Sequence, residues 1–327
     1  MKIRRLEKGR RLTSKLRAIF ALLAFMSLFA MKATAQEPIA VVPYRIDYDG
    51  LITVSVAVNG HGPYDFVLDT GATLTIVFQN LAAIESFQPT GGPRKRILGI
   101  TGAAELDAFR IGEVSLGGAS LPDHVGVVLP DWSPPRKTPS GIIGIDFLRK
   151  YAVIFDVRAQ TMSLYPHGGL PNEKIRKWKS AKLRANTYAA TTGALYTTKG
   201  LINRSPTTFV IDLGSVATLI NYRAAEAMFS SVVTRDLGEG FTTGSRLKDV
   251  FDDRTRTRTA RLNRIQIGRT SWRNVGVWVK DAPIFDEIGV QRLPFALLGA
   301  DLLATQDFAL DFGENRLYIS KINPTKR

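Results

Sequence analysis

The sequence predicts an all-β chain assembled from two copies of one unit. A motif that recurs about halfway along and a succession of short apolar runs with strand periodicity both point that way. Residues 66–77 read Phe-Val-Leu-Asp-Thr-Gly-Ala-Thr-Leu-Thr-Ile-Val, and residues 209–220 read Phe-Val-Ile-Asp-Leu-Gly-Ser-Val-Ala-Thr-Leu-Ile, an offset of 143. Val125-Gly126-Val127 recurs as Val275-Gly276-Val277, at an offset of 150. Ile142-Ile143-Gly144-Ile145-Asp146-Phe147-Leu148 recurs as Leu297-Leu298-Gly299-Ala300-Asp301-Leu302-Leu303, at 155. Asp156 and Asp311 each follow twelve residues after that Gly. Order survives and the offset only grows, as it does when a second copy of a domain-sized unit gains loop residues.

The chain opens on an export signal. A basic stretch (Lys2, Arg4, Arg5, Lys8, Arg10, Arg11, Lys15, Arg17) precedes an uncharged apolar run over residues 18–31, and Ala33-Thr34-Ala35 reads as a cleavage site. Residues 1–35 are therefore the expected signal peptide, with the mature chain starting at Gln36 in the periplasm or outside the cell. The apolar run falls short of the ~20 residues that span a bilayer, and Arg10-Arg11 lacks a twin-arginine consensus. Lys32, close to the cut, keeps an uncleaved membrane anchor as the minor alternative.

Residues 51–58 alternate Ile52, Val54, Val56, Val58 and end in Asn59-Gly60, a strand running into a hairpin turn. Phe66-Val67-Leu68 and Phe209-Val210-Ile211 are short continuous apolar runs, the pattern of strands buried on both faces. Residues 151–155 and 162–165 read as a strand pair, mirrored by 308–312 and 316–319. Short helices are expected at 224–229 and just after Gly144 and Gly299. The Lys-rich stretch 171–184 is the expected basic connection between an N-terminal unit over 36–170 and a C-terminal unit over 185–327.

Composition removes several chemistries. There is no cysteine, so thiol nucleophiles, Cys metal sites and disulfides are excluded. His61, His124 and His167 lack ligand-like spacing and read as surface residues, so no metal is expected. The formal charge of +15 overstates the basicity of the mature chain, which keeps 35 basic and 28 acidic residues, a net +7. What remains clusters at 174–184 and at Arg254, Arg256 and Arg258, read as solvated runs. Export argues against a nucleic-acid partner.

Asp69 and Asp212 are the residues with chemistry to offer. An apolar strand that ends in Asp-x-Gly sets a carboxylate at the mouth of a packed core, and the Gly allows the tight turn. A Thr hydroxyl at x can tie the turn to backbone. Two such carboxylates brought together share a proton, because both cannot ionise cheaply. One then deprotonates a water while the other donates to a substrate carbonyl, with no metal or cofactor. Asp146, Asp301, Asp156 and Asp311 also recur but lack this context; the first two read as helix-start residues and the last two as turn caps.

On these residues the chain resembles the retropepsin and pepsin families. Phe66-Val67-Leu68-Asp69-Thr70-Gly71-Ala72 is similar to the active-site strand and turn of retropepsins. Ile142-Ile143-Gly144 and Leu297-Leu298-Gly299 resemble the element that packs behind that turn. The resemblance runs from about residue 44 to 319 and implies a two-lobed, pepsin-like architecture of duplicated retropepsin-like β-barrel units fused in one chain, a monomer with pseudo-two-fold lobes. It implies an aspartic endopeptidase acting on peptides or proteins, with Asp69 and Asp212 catalytic and Thr70, Gly71, Gly214 and Ser215 supporting their loops. It also implies a substrate-covering flap with Gly99, Ile100, Thr101 and Gly102 at its tip, and a weaker counterpart at 238–244. No Tyr lies between Phe78 and Asp131, so a pepsin-style flap tyrosine is missing. Leu213 departs from the family, where a hydroxyl interlocks the two loops; Ser215 is the nearby polar group able to reach Asp212. Two further readings stay open: a catalytically silent peptide-binding module of the same fold, and an exported basic β-protein that docks on anionic envelope polymers.

Overall fold

A computed structural model describes residues 36–134, 137–191, 193–226, 242–248 and 254–321. The expected signal segment, and residues 227–241 with part of the second expected flap, lie outside the described residues. The first half runs β1 (Ala40–Asp47), β2 (Leu51–Val58), β3 (His61–Leu68), β4 (Ile76–Phe78), α1 (Gln79–Glu85), β5 (Gln88–Pro89), β6 (Lys95–Leu98), β7 (Ala103–Leu106), β8 (Ala108–Leu116), β9 (Ala119–Leu129), β10 (Gly141–Ile143), α2 (Ile145–Leu148), β11 (Ala152–Asp156) and β12 (Thr161–Tyr165). The second runs α3 (Asn172–Ile175), β13 (Lys179–Lys182), β14 (Arg184–Thr187), β15 (Ala194–Ile202), β16 (Ser205–Ile211), β17 (Leu219–Ile220), α4 (Tyr222–Glu226), β18 (Thr242–Lys248), β19 (Arg254–Ile267), β20 (Thr270–Val279), α5 (Pro283–Glu287), β21 (Phe295–Leu298), α6 (Ala300–Leu303), β22 (Phe308–Asp311) and β23 (Arg316–Ile319).

The alternating run at 51–58 becomes β2, with Val54, Val56 and Val58 all buried. Asn59 and Gly60 turn the chain into β3 with positive φ at both, 52° and 81°, the backbone a two-residue hairpin needs. β2 pairs with β3, β3 with β10, β10 with β4, β4 with β9, β9 with β8, and β8 returns to β2, so six strands close into a barrel. The β3–β10 and β4–β9 pairs are parallel. Phe66, Val67 and Leu68 are therefore enclosed on both sides, as their continuous apolar run requires.

In the second half β15 lies antiparallel to β16, β16 parallel to β21, β21 antiparallel to β17, β17 parallel to β20 and β20 antiparallel to β19, with β19 also against β15. The two halves share one sheet. β11 and β22 pair antiparallel, with Val153 opposite Leu310, and the Phe155 and Phe308 rings stack 4.4 Å apart. Residues Glu37–Arg327 accordingly make one compact unit.

Two expectations change. The basic stretch 171–184 is not a bare connection: it carries α3 and β13, and β13 pairs with β23. Ala181 and Leu183 are buried while Ser180, Lys182 and Arg184 are exposed, so one face meets solvent while the strand adds to the shared sheet. His124 is not a surface residue. It is buried, held by a backbone carbonyl at 2.8 Å. Among the described residues no helix is long and apolar enough to cross a membrane, and no cluster of His, Asp and Glu could hold a metal.

Candidate active site

β3 delivers Asp69 from the barrel core, and β16 delivers Asp212 in the same way. Each backbone N–H at the Asp is anchored by the strand behind it: Asp69 to the Ile143 carbonyl at 3.0 Å and Asp212 to the Leu298 carbonyl at 3.1 Å. The loops then fold over their own carboxylates. Oδ1 of Asp69 accepts from the N–H of Gly71 (2.7 Å) and Ala72 (3.0 Å), and Oδ1 of Asp212 accepts from Gly214 N–H (3.1 Å).

The two loops meet. The Asp69 and Asp212 carboxyls lie close together on either side of Gly71, where a Cβ would lie 3.1 Å from Oδ1 of Asp69. A Cβ on Gly71 would lie 2.8 Å from Oδ1 of Asp212, and one on Gly214 only 2.2 Å from Cγ of Asp69. Each glycine is thus the surface against which the opposite carboxylate rests, and neither site has room for a methyl group. Thr70 ties the loops together: its hydroxyl donates to the Ile211 carbonyl at 2.7 Å and accepts from Leu213 N–H at 3.0 Å. Leu213 is fully buried in the core. Ser215 does not bond Asp212 through its hydroxyl, which turns away to donate to the Ala217 carbonyl at 2.7 Å; only its backbone N–H serves Asp212.

Burial raises the affinity of both carboxyls for a proton. For Asp69 the rise is opposed by the N–H groups of Gly71, Ala72 and Gly214 and by the Asp212 carboxyl. Asp212 is pushed well above the ordinary carboxylate value, by burial first and then by the negative charge of Asp69. Two buried carboxyls this close titrate as a pair.

Above the pair lies a cavity of about 440 Å³. One wall is Val67, Ile76 and Trp132 from the first half; the other is Leu195, Trp278 and Phe285 from the second. The β6–β7 hairpin covers it. Its tip spans residues 99–102, with Gly99 N–H donating to the Gly102 carbonyl at 2.7 Å. Gly99 and Ile100 line the cavity, and Ile100 packs on the apolar cluster of the second half that contains Phe285. Arg96, lower on the hairpin, pairs with Glu287 of α5 at 2.7 Å and bridges the cavity mouth. The structure thus brings Asp69, Thr70, Gly71, Asp212, Gly214 and Ser215 to one place, with Gly99 and Ile100 over it.

Sequence reading missed the walls. Trp278 directly follows the repeated Val275-Gly276-Val277, and Trp132 lies five residues beyond Val127, so the repeat was the available signal for both. It also missed the braces behind the loops. Asp146 and Asp301 sit in the first turns of α2 and α6, but their carboxylates accept from the Thr75 and Thr218 hydroxyls at 2.7 and 2.8 Å. Asp156 and Asp311 cap turns as expected, taking the N–H of Ala159 and Glu314.

A family model described as aspartyl protease matches residues 54–147. No curated protein matches the chain. The stretch 54–147 is a retropepsin-like domain: it holds nearly all of the closed barrel, the Asp69-Thr70-Gly71 loop and the Ile142-Ile143-Gly144 element behind it. The match ends before Asp212.

Proposed function

We propose that the protein is an aspartic endopeptidase, hydrolysing peptide bonds with a water activated between Asp69 and Asp212. One observation carries this reading: two Asp-x-Gly loops, 143 residues apart in the chain, bring their carboxyls close together at an apolar cavity. The reading extends to a pepsin-like pair of lobes, each a retropepsin-like unit. The repeated order of parallel and antiparallel pairings in the second half supports that extension, as does the sequence repeat. The chain is then a monomer that builds the whole cleft itself, exported by residues 1–35 to the periplasm or beyond.

The two carboxyls differ in a useful way. Asp69 keeps its negative charge more readily, since the Gly214 N–H of the opposite loop adds to those of Gly71 and Ala72, whereas Asp212 has only Gly214 and Ser215. It takes a proton from water as the water oxygen attacks the scissile carbonyl carbon. Asp212 gives its proton to the carbonyl oxygen, forming a neutral tetrahedral diol. Collapse of the diol breaks the C–N bond: the leaving nitrogen takes a proton from Asp69, and a diol hydroxyl returns one to Asp212. The apolar walls exclude bulk water and hold side chains on either side of the scissile bond. The hairpin tip, Gly99 to Gly102, offers backbone groups to an extended peptide strand.

Cleavage of an unbiased peptide library tests this. The purified mature protein is expected to cut at mildly acidic pH and Asp69→Asn to be silent. Cleavage that persists in Asp69→Asn, or that keeps rising through alkaline pH, defeats the reading. A silent peptide-binding module is the second reading, favoured by Leu213, which removes one of the two hydroxyls that interlock the loops. Its signature is peptide retention by wild type without turnover.

A further inference from the structure

We propose that His124 is a positioning residue, anchoring the end of the Asp69 loop through the Thr75 carbonyl. The catalytic part of this inference rests on the peptidase reading above.

The loop that begins at Asp69 ends at Thr75, and Thr75 is gripped from three sides. Its hydroxyl donates to Asp146 Oδ1 at 2.7 Å and accepts from Gly144 N–H at 3.0 Å. Its carbonyl lies 2.8 Å from Nε2 of His124, so that nitrogen carries the hydrogen and donates it. The other ring nitrogen, Nδ1, lies 3.8 Å from Asp146 Oδ2, beyond hydrogen-bond reach. Asp146, Gly144 and His124 together hold Thr75 behind the loop.

The second half repeats the grip without the histidine. Thr218 donates to Asp301 at 2.8 Å and accepts from Gly299 N–H at 3.2 Å. Its carbonyl takes a backbone N–H, that of Trp278, at 2.9 Å. In the Val-Gly-Val repeat the counterpart of His124 is Asn274, an exposed residue occupied with Arg261. The glycines of that repeat record the difference. A Cβ on Gly126 would lie 2.8 Å from His124 Nε2 and 3.0 Å from the Thr75 carbonyl, whereas one on Gly276 would meet nothing within 4 Å. Gly126 thus leaves the space in which the His124–Thr75 bond forms.

Each grip includes a carboxylate, Asp146 or Asp301, and the first adds an imidazole. Burial is the largest influence on His124 and pushes its pKa below 6.5; Lys95 of β6 and Lys150 just past α2 push the same way, while Asp146 and the Thr75 carbonyl oppose them. The fold thus favours the neutral ring. Protonation adds a hydrogen at Nδ1 and leaves the Nε2–H donated to Thr75 in place, so the anchor does not depend on the ring's charge.

His124→Gln tests this, because the Gln amide places an N–H donor where Nε2 stood. Wild-type kcat and Tm are the expected result. His124→Asn, whose amide stops short of Thr75, is expected to lose kcat roughly tenfold to a hundredfold with little change in KM. A His124→Gln kcat as low as that of His124→Asn, or a His124→Asn kcat equal to wild type, overturns the proposal. Tm, measured with each variant in an Asp69→Asn background, separates this failure from that of the peptidase reading. A His124→Asn Tm below that of His124→Gln supports the anchor even if no peptide is ever cut. Equal Tm values remove the anchor whatever the activity.

Discussion

The Asp69-Thr70-Gly71 loop and the Asp212-Leu213-Gly214 loop share a backbone and differ in how they hold each other. Both are fed by a buried three-residue apolar run, both anchor the Asp N–H on a Leu or Ile carbonyl, and both press a glycine on the opposite carboxylate. Yet the cross-tie is made by one side alone. Thr70 supplies a hydroxyl to both the carbonyl of Ile211 and the N–H of Leu213, and Leu213 returns only packing. Close approach of two loops thus needs the glycines on both sides, whereas a single hydroxyl is enough to fix their register.

The largest effect that separates the loops by chemistry rather than shape is loss of a carboxylate. Asp69→Asn and Asp212→Asn are each expected to abolish peptide cleavage, and stability distinguishes them from disruption of the fold. Asp212 has its folded pKa raised above the ordinary value of 3.8 by burial and by Asp69. A raised carboxyl favours the folded state at low pH, and that contribution fades as pH rises through the folded pKa. At pH 7 Asp212→Asn should therefore melt above wild type, by a few °C for each ~1 kcal/mol relieved, and the gain should vanish in acid. An inactive Asp212→Asn that melts lower at pH 7 argues that Asp212 holds the fold rather than the proton. Retained activity in Asp212→Asn would instead make Asp69 act without it.

Next in size are the glycines. Gly214→Ala drives a methyl group into the Asp69 carboxyl at 2.2 Å, and Gly71→Ala meets Asp212 at 2.8 Å. Both should lose activity, Gly214→Ala more severely, because the shorter approach cannot be relieved by a small turn of a side chain. Equal losses on assay would mean that the loops yield symmetrically.

Thr70→Val is expected to come third. It leaves the Ile211 carbonyl and Leu213 N–H buried without their partner, a cost of roughly 2–6 kcal/mol at ~1–3 for each group. Cleavage should fall by about a hundredfold as the carboxyls lose register, and Thr70→Ser should restore most of both. A Thr70→Val protein as stable and active as wild type would show that the cross-tie is dispensable.

The features legible in the sequence are those set by local pattern. The alternating run at 51–58 is β2 residue for residue, and 316–319 is β23. Asp69 and Asp212 stood out because each ends an apolar strand and is followed two residues on by Gly, which the approach of the opposite carboxylate requires. What escaped was decided by contacts far apart in the chain. β13 looked like connection because its two lysines flank only Ser180 and Ala181, and its partner strand lies more than a hundred residues on. His124 looked exposed beside Asp123, and nothing nearby shows that Thr75 will present a carbonyl to it. Trp132 and Trp278 became cavity walls only through pairing of β9 with β4 and β20 with β17.

Leu213→Thr should have the smallest effect, and it tests the comparison most directly. Leu213 sits at the counterpart of Thr70, so a hydroxyl there faces the Leu68 carbonyl and Thr70 N–H, as Thr70 faces Ile211 and Leu213. If the missing tie limits register, the variant should preserve or raise kcat with KM unchanged. Two costs oppose a gain in stability. Leu213 is fully buried, so the smaller side chain gives up apolar packing. A hydroxyl that misses its partners costs a further ~1–3 kcal/mol. Melting temperature therefore reads the packing and kcat reads the register, and the two need not move together. A lower Tm with equal or higher kcat is the expected pattern, since the hydroxyl acts on the loops while the lost methyl groups act on the core. A kcat that falls in proportion to Tm would show that Leu213 itself keeps the loops in register by packing, and that the second loop has replaced a hydrogen bond with a hydrophobic contact of equal effect.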